Sequence, residues 1–223
     1  MPQIVIRIQQ HPSRADLLPA LLEGLTPLLV EVSSHSSIPP NPWEGYKKAL
    51  QITATEIQFS HLVVLQDDVV VCRNFAPAIE QIAQANPDTP VVLFLARLPR
   101  RISNMALHAT KKRQVYLDCQ LRSNDFLPVV AILWPVEKAR EFLAWTEANP
   151  HKLGHKDPRS DDAVGGRWAS LTKQTIRFTL PSLVEHPDME PSLIGRRASW
   201  GKDKGRVSLQ FCEGDPLEID WST

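Results

Sequence analysis

The stretch HLVVLQDDVVVC, residues 61–72, carries the strongest structural signal in this chain. Its apolar, strand-forming run at 62–65 stops abruptly before two adjacent carboxylates, Asp67 and Asp68. Two like charges at the end of a buried strand do not favour folding, because each must stay solvated or find a cation. Ligands bind at the carboxyl ends of strands in open α/β sheets. A carboxylate pair there suits a divalent metal ion that also holds phosphate oxygens; the alternative is a solvated turn with helix-capping aspartates.

The segments around this stretch alternate between strand and helix patterns. Apolar runs predict strands over 3–8, 28–32, 62–66 and 90–95. The strand over 28–32 is expected to be buried. Spaced apolar residues predict helices over 14–23, 43–55 and 74–85. The resulting order β-α-β-α-β-α-β is typical of nucleotide-binding α/β proteins with parallel strands.

The second half of the chain is less regular. It begins with a basic loop at 97–113. The later elements are predicted as strands over 114–117, 127–134 and 175–179 and as helices over 136–148 and 160–172. From Pro181 onward the chain is expected to be irregular and to wrap over the edge of the sheet.

The composition is that of an ordinary globular domain, with 43% apolar and 22% charged residues among 223. The three cysteines (Cys72, Cys119 and Cys212) lack a metal-type spacing, which indicates a reducing compartment without a disulfide framework or a thiolate zinc site. The N-terminus lacks a signal-peptide pattern, and no apolar run approaches the length of about 18 residues that a spanning helix needs. We therefore expect a cytoplasmic protein without membrane insertion.

Charge is segregated along the chain although the net charge is zero. Segment 97–113 has no acid and six basic residues, namely Arg97, Arg100, Arg101, Lys111, Lys112 and Arg113. Segment 196–206 has five basic residues against the single acid Asp203. Two basic segments indicate an anionic partner; the alternatives are solvated loops or clamps for a phosphate.

Three features together indicate transfer of a group from a nucleotide diphosphate. The carboxylates at 67–68 end a strand, Asp161 and Asp162 open a predicted helix, and His186 ends the apolar run LVEH. A metal ion neutralises the leaving phosphate, and a carboxylate base removes the proton of the attacking hydroxyl. Simple helix N-capping by the later aspartates, and a packed or surface histidine, are the structural alternatives.

The chain resembles glycosyltransferases of the GT-A fold, especially small bacterial and phage-encoded members. The resemblance covers most of residues 4–195 and rests on HPSRADLLPALL, PWEGYKKAL, LVVLQDDVVVC, the DD of PRSDDAV and PSLVEHPDMEPSLIG. It implies a single GT-A, Rossmann-like α/β domain with a mixed, mainly parallel sheet and helices on both faces. Residues 1–95 would form the nucleotide-binding half, 96–180 the acceptor half and 181–223 a segment over the active site.

The resemblance also implies a metal site. Asp68 and His186 would ligate Mn²⁺ or Mg²⁺ beside the diphosphate of a UDP-sugar donor, and Asp67 would face the ribose or the donor sugar. Mixed oxygen and imidazole ligation tolerates Mn²⁺ better than Mg²⁺. Gln66 stands where an acid is more usual in the family's motif, which removes one charge from this site.

The remaining site residues are expected around the donor. Asp162 is expected as the general base and Asp161 as the helix cap. Gln9 and Arg14 lie on the loop that contacts the nucleotide in GT-A folds, although an exposed arginine at a helix start is equally compatible with the pattern. Trp43 would stack on the donor or pack in the core, and Lys202 would fold over the diphosphate.

The expected acceptor is duplex DNA that carries a hydroxylated base such as 5-hydroxymethylcytosine, flipped out of the stack. Segments 97–113 and 196–206 would bind its phosphates. Two alternatives stay open. One is transfer to a cell-surface polysaccharide or lipopolysaccharide. The other is a non-catalytic nucleotide-sugar or nucleic-acid binding module, in which Gln66 marks lost metal binding.

Overall fold

The computed structural model describes residues 2–37, 40–52, 58–97, 100–122, 125, 127–154, 160–187 and 207–223. The strands in these residues are β1 (Ile4–Gln10), β2 (Leu29–Ser34), β3 (His61–Gln66), β4 (Val70–Val71), β5 (Val91–Val92), β6 (Tyr116–Gln120), β7 (Ala131–Pro135), β8 (Thr175–Thr179) and β9 (Val184–Glu185). The α-helices are α1 (Leu18–Leu25), α2 (Pro42–Leu50), α3 (Phe75–Ala85), α4 (Arg100–Lys111), α5 (Val136–Ala148) and α6 (Asp161–Leu171). Short 3₁₀ helices span Pro12–Leu17, Pro150–Lys152 and Pro216–Glu218.

Seven of the strands form one mixed sheet in the order β2-β1-β3-β7-β5-β8-β6. Strand β1 is parallel to both β2 and β3, and β5 is parallel to β8, whereas β7 and β6 are antiparallel to their neighbours. Five of the seven strands therefore run in one direction. Strands β4 and β9 form a separate antiparallel pair.

Alternate side chains of the sheet enter two hydrophobic clusters, one on each face. Val5, Leu62 and Val64 point into a cluster completed by α2, α4, α5 and α6, where Trp134 and Phe142 stack with ring centroids 5.4 Å apart. Their neighbours along the strands enter a cluster with α1 and α3. Because side chains of a strand alternate between faces, the central strands are buried on both sides by helices.

The α/β alternation predicted for the first half is confirmed, and α5 and β8 have the predicted bounds. The strand order differs from a simple succession of parallel strands, because the antiparallel β7 lies between β3 and β5. Strand β5 is also shorter than predicted. The N–H of Leu93 still donates to Ala131 of β7, but its carbonyl accepts from Leu183 and Val184, and the N–H of Leu95 donates to the Ser182 hydroxyl.

Two predictions about burial and helix content were wrong. Strand β2 is an edge strand rather than a buried one, with 52% of Leu29 and 44% of Val32 exposed, because only β1 pairs with it. The predicted basic loop at 97–113 is largely helix α4. Its apolar residues Ile102, Ala106 and Ala109 are buried at helical spacing between the basic positions, and burial of this stripe stabilises the helix.

Among the described residues, no helix has the length and apolar character required to cross a lipid bilayer.

Candidate functional site

The site lies where β1 and β3 end side by side. The parallel register pairs Gln9 with Gln66, so the polar residues that follow the two strands begin at the same level of the sheet. The backbone N–H of Gln66 donates to the carbonyl of Val130, at 2.9 Å, which anchors the end of β3 to the start of β7. The edge is therefore formed by three adjacent, fixed strands.

Arg14 forms ion pairs with both carboxylates of the acidic pair. Its Nη1 lies 3.1 Å from Asp67 Oδ1 and 2.5 Å from Asp68 Oδ2. Asp67 also accepts a hydrogen bond from the backbone N–H of His11, at 2.8 Å. The two aspartates are only 4% and 7% exposed, so the guanidinium compensates two buried negative charges.

The two carboxylates differ in their pKa values. Burial, followed by the charge of Asp68, raises the pKa of Asp67 against the opposing hydrogen bonds of His11 and Arg14. Burial acts in the same direction on Asp68, but His186 and Arg14 outweigh it and hold the pKa of Asp68 below its usual value. Asp68 is therefore the carboxylate that the site keeps ionised.

The small β4–β9 ladder places His186 beside Asp68. It pairs Val70 with Glu185, and the following imidazole has its Nε2 3.4 Å from Asp68 Oδ1. Glu185 accepts hydrogen bonds from the backbone N–H of His186 at 2.8 Å and from the N–H of Ser208 at 2.7 Å. These bonds position the histidine and hold the returning C-terminal chain next to it.

A second group of polar residues surrounds Asp161 at the start of α6. Its Oδ2 receives a hydrogen bond from Gln66 Nε2 at 3.5 Å, and its Oδ1 accepts the backbone N–H of Asp162 at 3.0 Å. Burial raises the pKa of Asp161 to about 7, and the charge of Asp162 acts in the same direction. Asp161 is thus a buried carboxyl group that titrates near neutral pH.

Asp162 has a different environment. Its Oδ1 accepts the backbone N–H of Val129 at 3.1 Å, and its carbonyl accepts the N–H of Leu127 at 3.2 Å. Asp162 therefore fixes the segment that leads into β7. The sequence predicted Asp162 as the base and Asp161 as the helix cap. In the structure, Asp162 hydrogen-bonds the segment before β7, whereas Asp161 is the buried carboxyl group with the raised pKa.

Of the other residues predicted to bind the nucleotide sugar, one lies at the site, one lies in the core and one lies outside the described residues. Gln9 lies at the site and donates from Nε2 to the carbonyl of Pro42 at 3.0 Å. Trp43 is only 2% exposed and packs on Phe142, with ring centroids 5.7 Å apart. The structure therefore places Trp43 in the core, where its ring has no free face for a nucleotide. Lys202 and segment 196–206 lie outside the described residues.

Unpartnered buried polar atoms are concentrated at this edge. Six side-chain atoms of the described residues are buried without a hydrogen bond, namely Gln9 Oε1, His11 Nε2, His35 Nε2, Asp68 Oδ1, Arg101 Nε and His186 Nδ1. All except the arginine atom belong to residues at or just beyond the ends of β1, β2, β3 and β9. Native proteins rarely leave such atoms unpaired, so this edge has buried polar atoms that water or a polar ligand would satisfy.

His11 and His35 were missed in the sequence analysis. Each directly follows a strand of the sheet, β1 and β2 respectively, on its carboxyl side. The backbone N–H of His35 donates to the carbonyl of Gln10 at 3.0 Å, which keeps it beside the end of β1. Their position after adjacent parallel strands was a signal available in the sequence.

The side chains at this edge supply some of the ligands that a divalent cation requires. Asp68 Oδ1 and the imidazole of His186 face each other, and a buried carboxylate oxygen without a hydrogen bond is a suitable ligand for a hard cation. No group of three or more His, Cys, Asp or Glu side chains in the described part of the chain is arranged to hold a metal ion. Two protein ligands would leave most coordination positions to phosphate oxygens and water, and the imidazole among them favours Mn²⁺ over Mg²⁺.

Comparison of the sequence with protein-family models and with curated proteins gives no match.

Proposed function

We propose that this chain is a glycosyltransferase of the GT-A type, which moves a sugar from a nucleotide sugar, with UDP as the expected nucleotide, to an acceptor hydroxyl. The observation that carries the proposal is the concentration of unpartnered buried polar atoms around Asp67, Asp68 and Arg14 at the carboxyl edge of the sheet. The mixed, mostly parallel sheet is compatible with the GT-A arrangement that the sequence motifs resemble.

The diphosphate of the donor would lie beside Arg14, Asp68 and His186. The guanidinium of Arg14 supplies a positive charge beside Asp67 and Asp68. It could release one of these carboxylates and bind a phosphate oxygen of the donor instead. Asp68 and His186 would hold Mn²⁺ or Mg²⁺, which would supply neutralisation of the leaving diphosphate. Asp67, fixed by the N–H of His11, would face the ribose or the sugar.

The proton of the acceptor hydroxyl would pass to Asp161. A general base works best when its pKa lies near the working pH, and the pKa of Asp161 is about 7 because of burial and the neighbouring charge of Asp162. Asp162 is engaged by Val129. Because the neighbouring carboxylate of Asp162 is held by the N–H of Val129, we assign Asp161 as the base of a direct displacement, which inverts the configuration of the sugar.

We further propose duplex DNA with a hydroxylated base, such as 5-hydroxymethylcytosine, as the acceptor. Helix α4 supports this choice, because its exposed residues and flanks include Arg97, Arg100, Lys111, Lys112 and Arg113. None of these five side chains takes part in the ion pairs formed between described residues, so their charges are available to phosphates.

The test is release of UDP from UDP-glucose with Mn²⁺, with and without hydroxymethylcytosine DNA. The wild type is compared with Asp68→Asn, Asp161→Asn and the exposed control Asp88→Asn. We expect DNA to stimulate release in the wild type and the control, and both site variants to lose it. Absence of donor cleavage under every condition, despite UDP binding, would contradict the enzymatic proposal. Cleavage that responds to glycans and not to DNA would replace DNA by a polysaccharide acceptor.

A non-catalytic nucleotide-sugar binding module is the second candidate. The observation in its favour is that Arg14 already compensates Asp67 and Asp68, so the acidic pair does not require a metal ion for charge balance. This candidate predicts UDP affinity that Mn²⁺ leaves unchanged and no turnover of UDP-sugars with any acceptor.

A further inference from the structure

Gln66 and Gln9 form an amide pair across adjacent strands. They are partners in the parallel β1–β3 register. Because side chains alternate along a strand, both extend on the face that carries Val5 and Val64, the face covered by α6. The two amides therefore lie between the ends of the strands and the first turn of that helix, where Asp161 is located.

The Gln66 amide donates directly to the buried carboxyl group. Its Nε2 lies 3.5 Å from Asp161 Oδ2, and the Gln9 side chain also hydrogen-bonds Asp161 and opposes the rise of its pKa. Asp161 is 5% exposed. The backbone N–H of Gln66 donates to the Val130 carbonyl at 2.9 Å, which fixes the main chain from which this amide extends toward Asp161.

Among the described residues, the negative charge of Asp162 acts on Asp161 and disfavours its ionised form. On its own helix, Asp162 is negative; on α2, the buried phenol of Tyr46 interacts with both aspartates. The contacts that strands β1 and β3 make with Asp161 are those of the neutral amides of Gln9 and Gln66, whereas the cation of β1, Arg7, pairs with Glu31. In the described residues no basic side chain forms an ion pair with Asp161. Neutral hydrogen-bond donors are thus its main stabilising partners.

The geometry points to Gln66 as the positioning residue of Asp161, with the uncharged amide required at position 66 because an acid there would place a further negative charge against a buried carboxylate. The inference rests on the proposed function in taking Asp161 as the base. It also explains the departure of the QDD segment from an all-acidic motif. Gln66 hydrogen-bonds Asp161 on one face of the sheet, while Asp68 and His186 lie together at the proposed donor site.

Carboxyl ¹³C NMR of protein labelled at the aspartate side chains tests this directly. The Asp161 resonance is identified by its loss in Asp161→Asn, and its titration midpoint is followed in the wild type, Gln66→Glu, Gln66→Met and Gln3→Glu. Gln66→Met keeps the length of the side chain without a donor. Gln3→Glu adds the same charge at the exposed start of the sheet.

We expect Gln66→Glu to move the Asp161 midpoint upward by at least one pH unit, Gln66→Met to move it upward by less, and Gln3→Glu to leave it in place. A midpoint in Gln66→Met equal to that of the wild type overturns the proposal, as does a Gln66→Glu shift no larger than that of Gln3→Glu. Gln66→Met keeps the test decisive if the added charge prevents folding.

The pH profile of sugar transfer separates this inference from the proposed function. If Asp161 is the base, the acidic limb of the profile moves with the NMR midpoint in each Gln66 variant. A midpoint that shifts as expected while the pH profile stays unchanged supports the positioning role of Gln66 and overturns the assignment of Asp161 as base.

Discussion

His186 Nε2 lies 3.4 Å from Asp68 Oδ1, although the two residues come from opposite halves of the chain. The β4–β9 ladder brings them together by pairing Val70 with Glu185. Each side chain has a buried polar atom without a hydrogen bond in the described structure, Oδ1 of Asp68 and Nδ1 of His186. This contact is the structural basis of the proposed metal site.

Loss of either partner is expected to abolish the effect of Mn²⁺ on donor binding. In Asp68→Asn and in His186→Ala, Mn²⁺ should no longer strengthen UDP binding, because one of two protein ligands is missing. Isothermal titration calorimetry with UDP, with and without Mn²⁺, measures this. His108→Ala, on the exposed face of α4, is the matched control. A full Mn²⁺ effect in both site variants would remove Asp68 and His186 from the metal site.

Arg14 is expected to be a major contributor to stability. Arg14→Gln removes the guanidinium from the buried Asp67 and Asp68 and leaves Asp68 with His186 as its neighbour. Removal of one partner from a buried ion pair costs about 3–5 kcal/mol. Mn²⁺ should restore part of this loss by binding the carboxylates. Urea unfolding with and without Mn²⁺ gives both values.

The control for this experiment is Arg140→Gln, which breaks the exposed pair with Glu137. Exposed pairs contribute about 0–1 kcal/mol, so the control should unfold close to the wild type. Equal stability losses in the two variants would show that Arg14 does not compensate a buried charge.

Asp161 and Asp162 are expected to differ in their effect on turnover. Asp161→Asn should lower the rate of sugar transfer by about 10²–10⁴-fold, the usual contribution of a general base, with UDP affinity preserved. Asp162→Asn should stay within about tenfold of the wild type, because its amide oxygen can still accept the N–H of Val129. Initial rates of sugar transfer, measured at saturating nucleotide sugar, rank the two variants. The reverse ranking would make Asp162 the base.

Asp161 is also expected to make stability depend on pH. Its pKa rises from 3.8 to about 7 in the folded state, so the folded protein binds more protons than the unfolded chain between these values. By linkage, its contribution is fully present below about pH 4 and is lost as pH rises to about 7, at about 1.4 kcal/mol per pKa unit as an upper limit.

Denaturant unfolding from pH 4 to pH 8 measures this contribution as a difference between two proteins. The wild type should lose stability relative to Asp161→Asn as the pH rises through this range, since the variant has no carboxyl group to ionise at this position. Parallel curves for the two proteins would mean that the Asp161 carboxyl group is not held in its protonated form by the fold.

Helix α4 is expected to bind DNA through its basic face. The double variant Lys111→Glu, Lys112→Glu should weaken binding and reduce the slope of log affinity against log salt by about one for each lost phosphate contact. Fluorescence anisotropy with duplex DNA at several salt concentrations gives the slope. Lys173→Glu, in the exposed turn after α6, is the control. The same slope in all three proteins would exclude α4 as the DNA surface.

The amino-acid sequence alone determined most of the local structure. Apolar periodicity and helix signals located β1, β3, α3, α5 and β8 closely, because these patterns depend on neighbouring residues only. The break from an apolar run to Asp67 and Asp68 likewise located the polar edge of the sheet. The dense basic residues at 97–113 concealed the short buried stripe of α4, so the helix was missed.

The tertiary structure decided which distant residues meet. Insertion of β7 between β3 and β5, the contact of His186 with Asp68, the burial of Trp43 and the hydrogen bond from Gln66 to Asp161 all depend on pairing between segments far apart in the chain. Such pairings are selected by the burial of whole strand and helix faces. A local sequence pattern therefore predicts an element and its polar end, whereas the partner across the site follows only from the packed sheet.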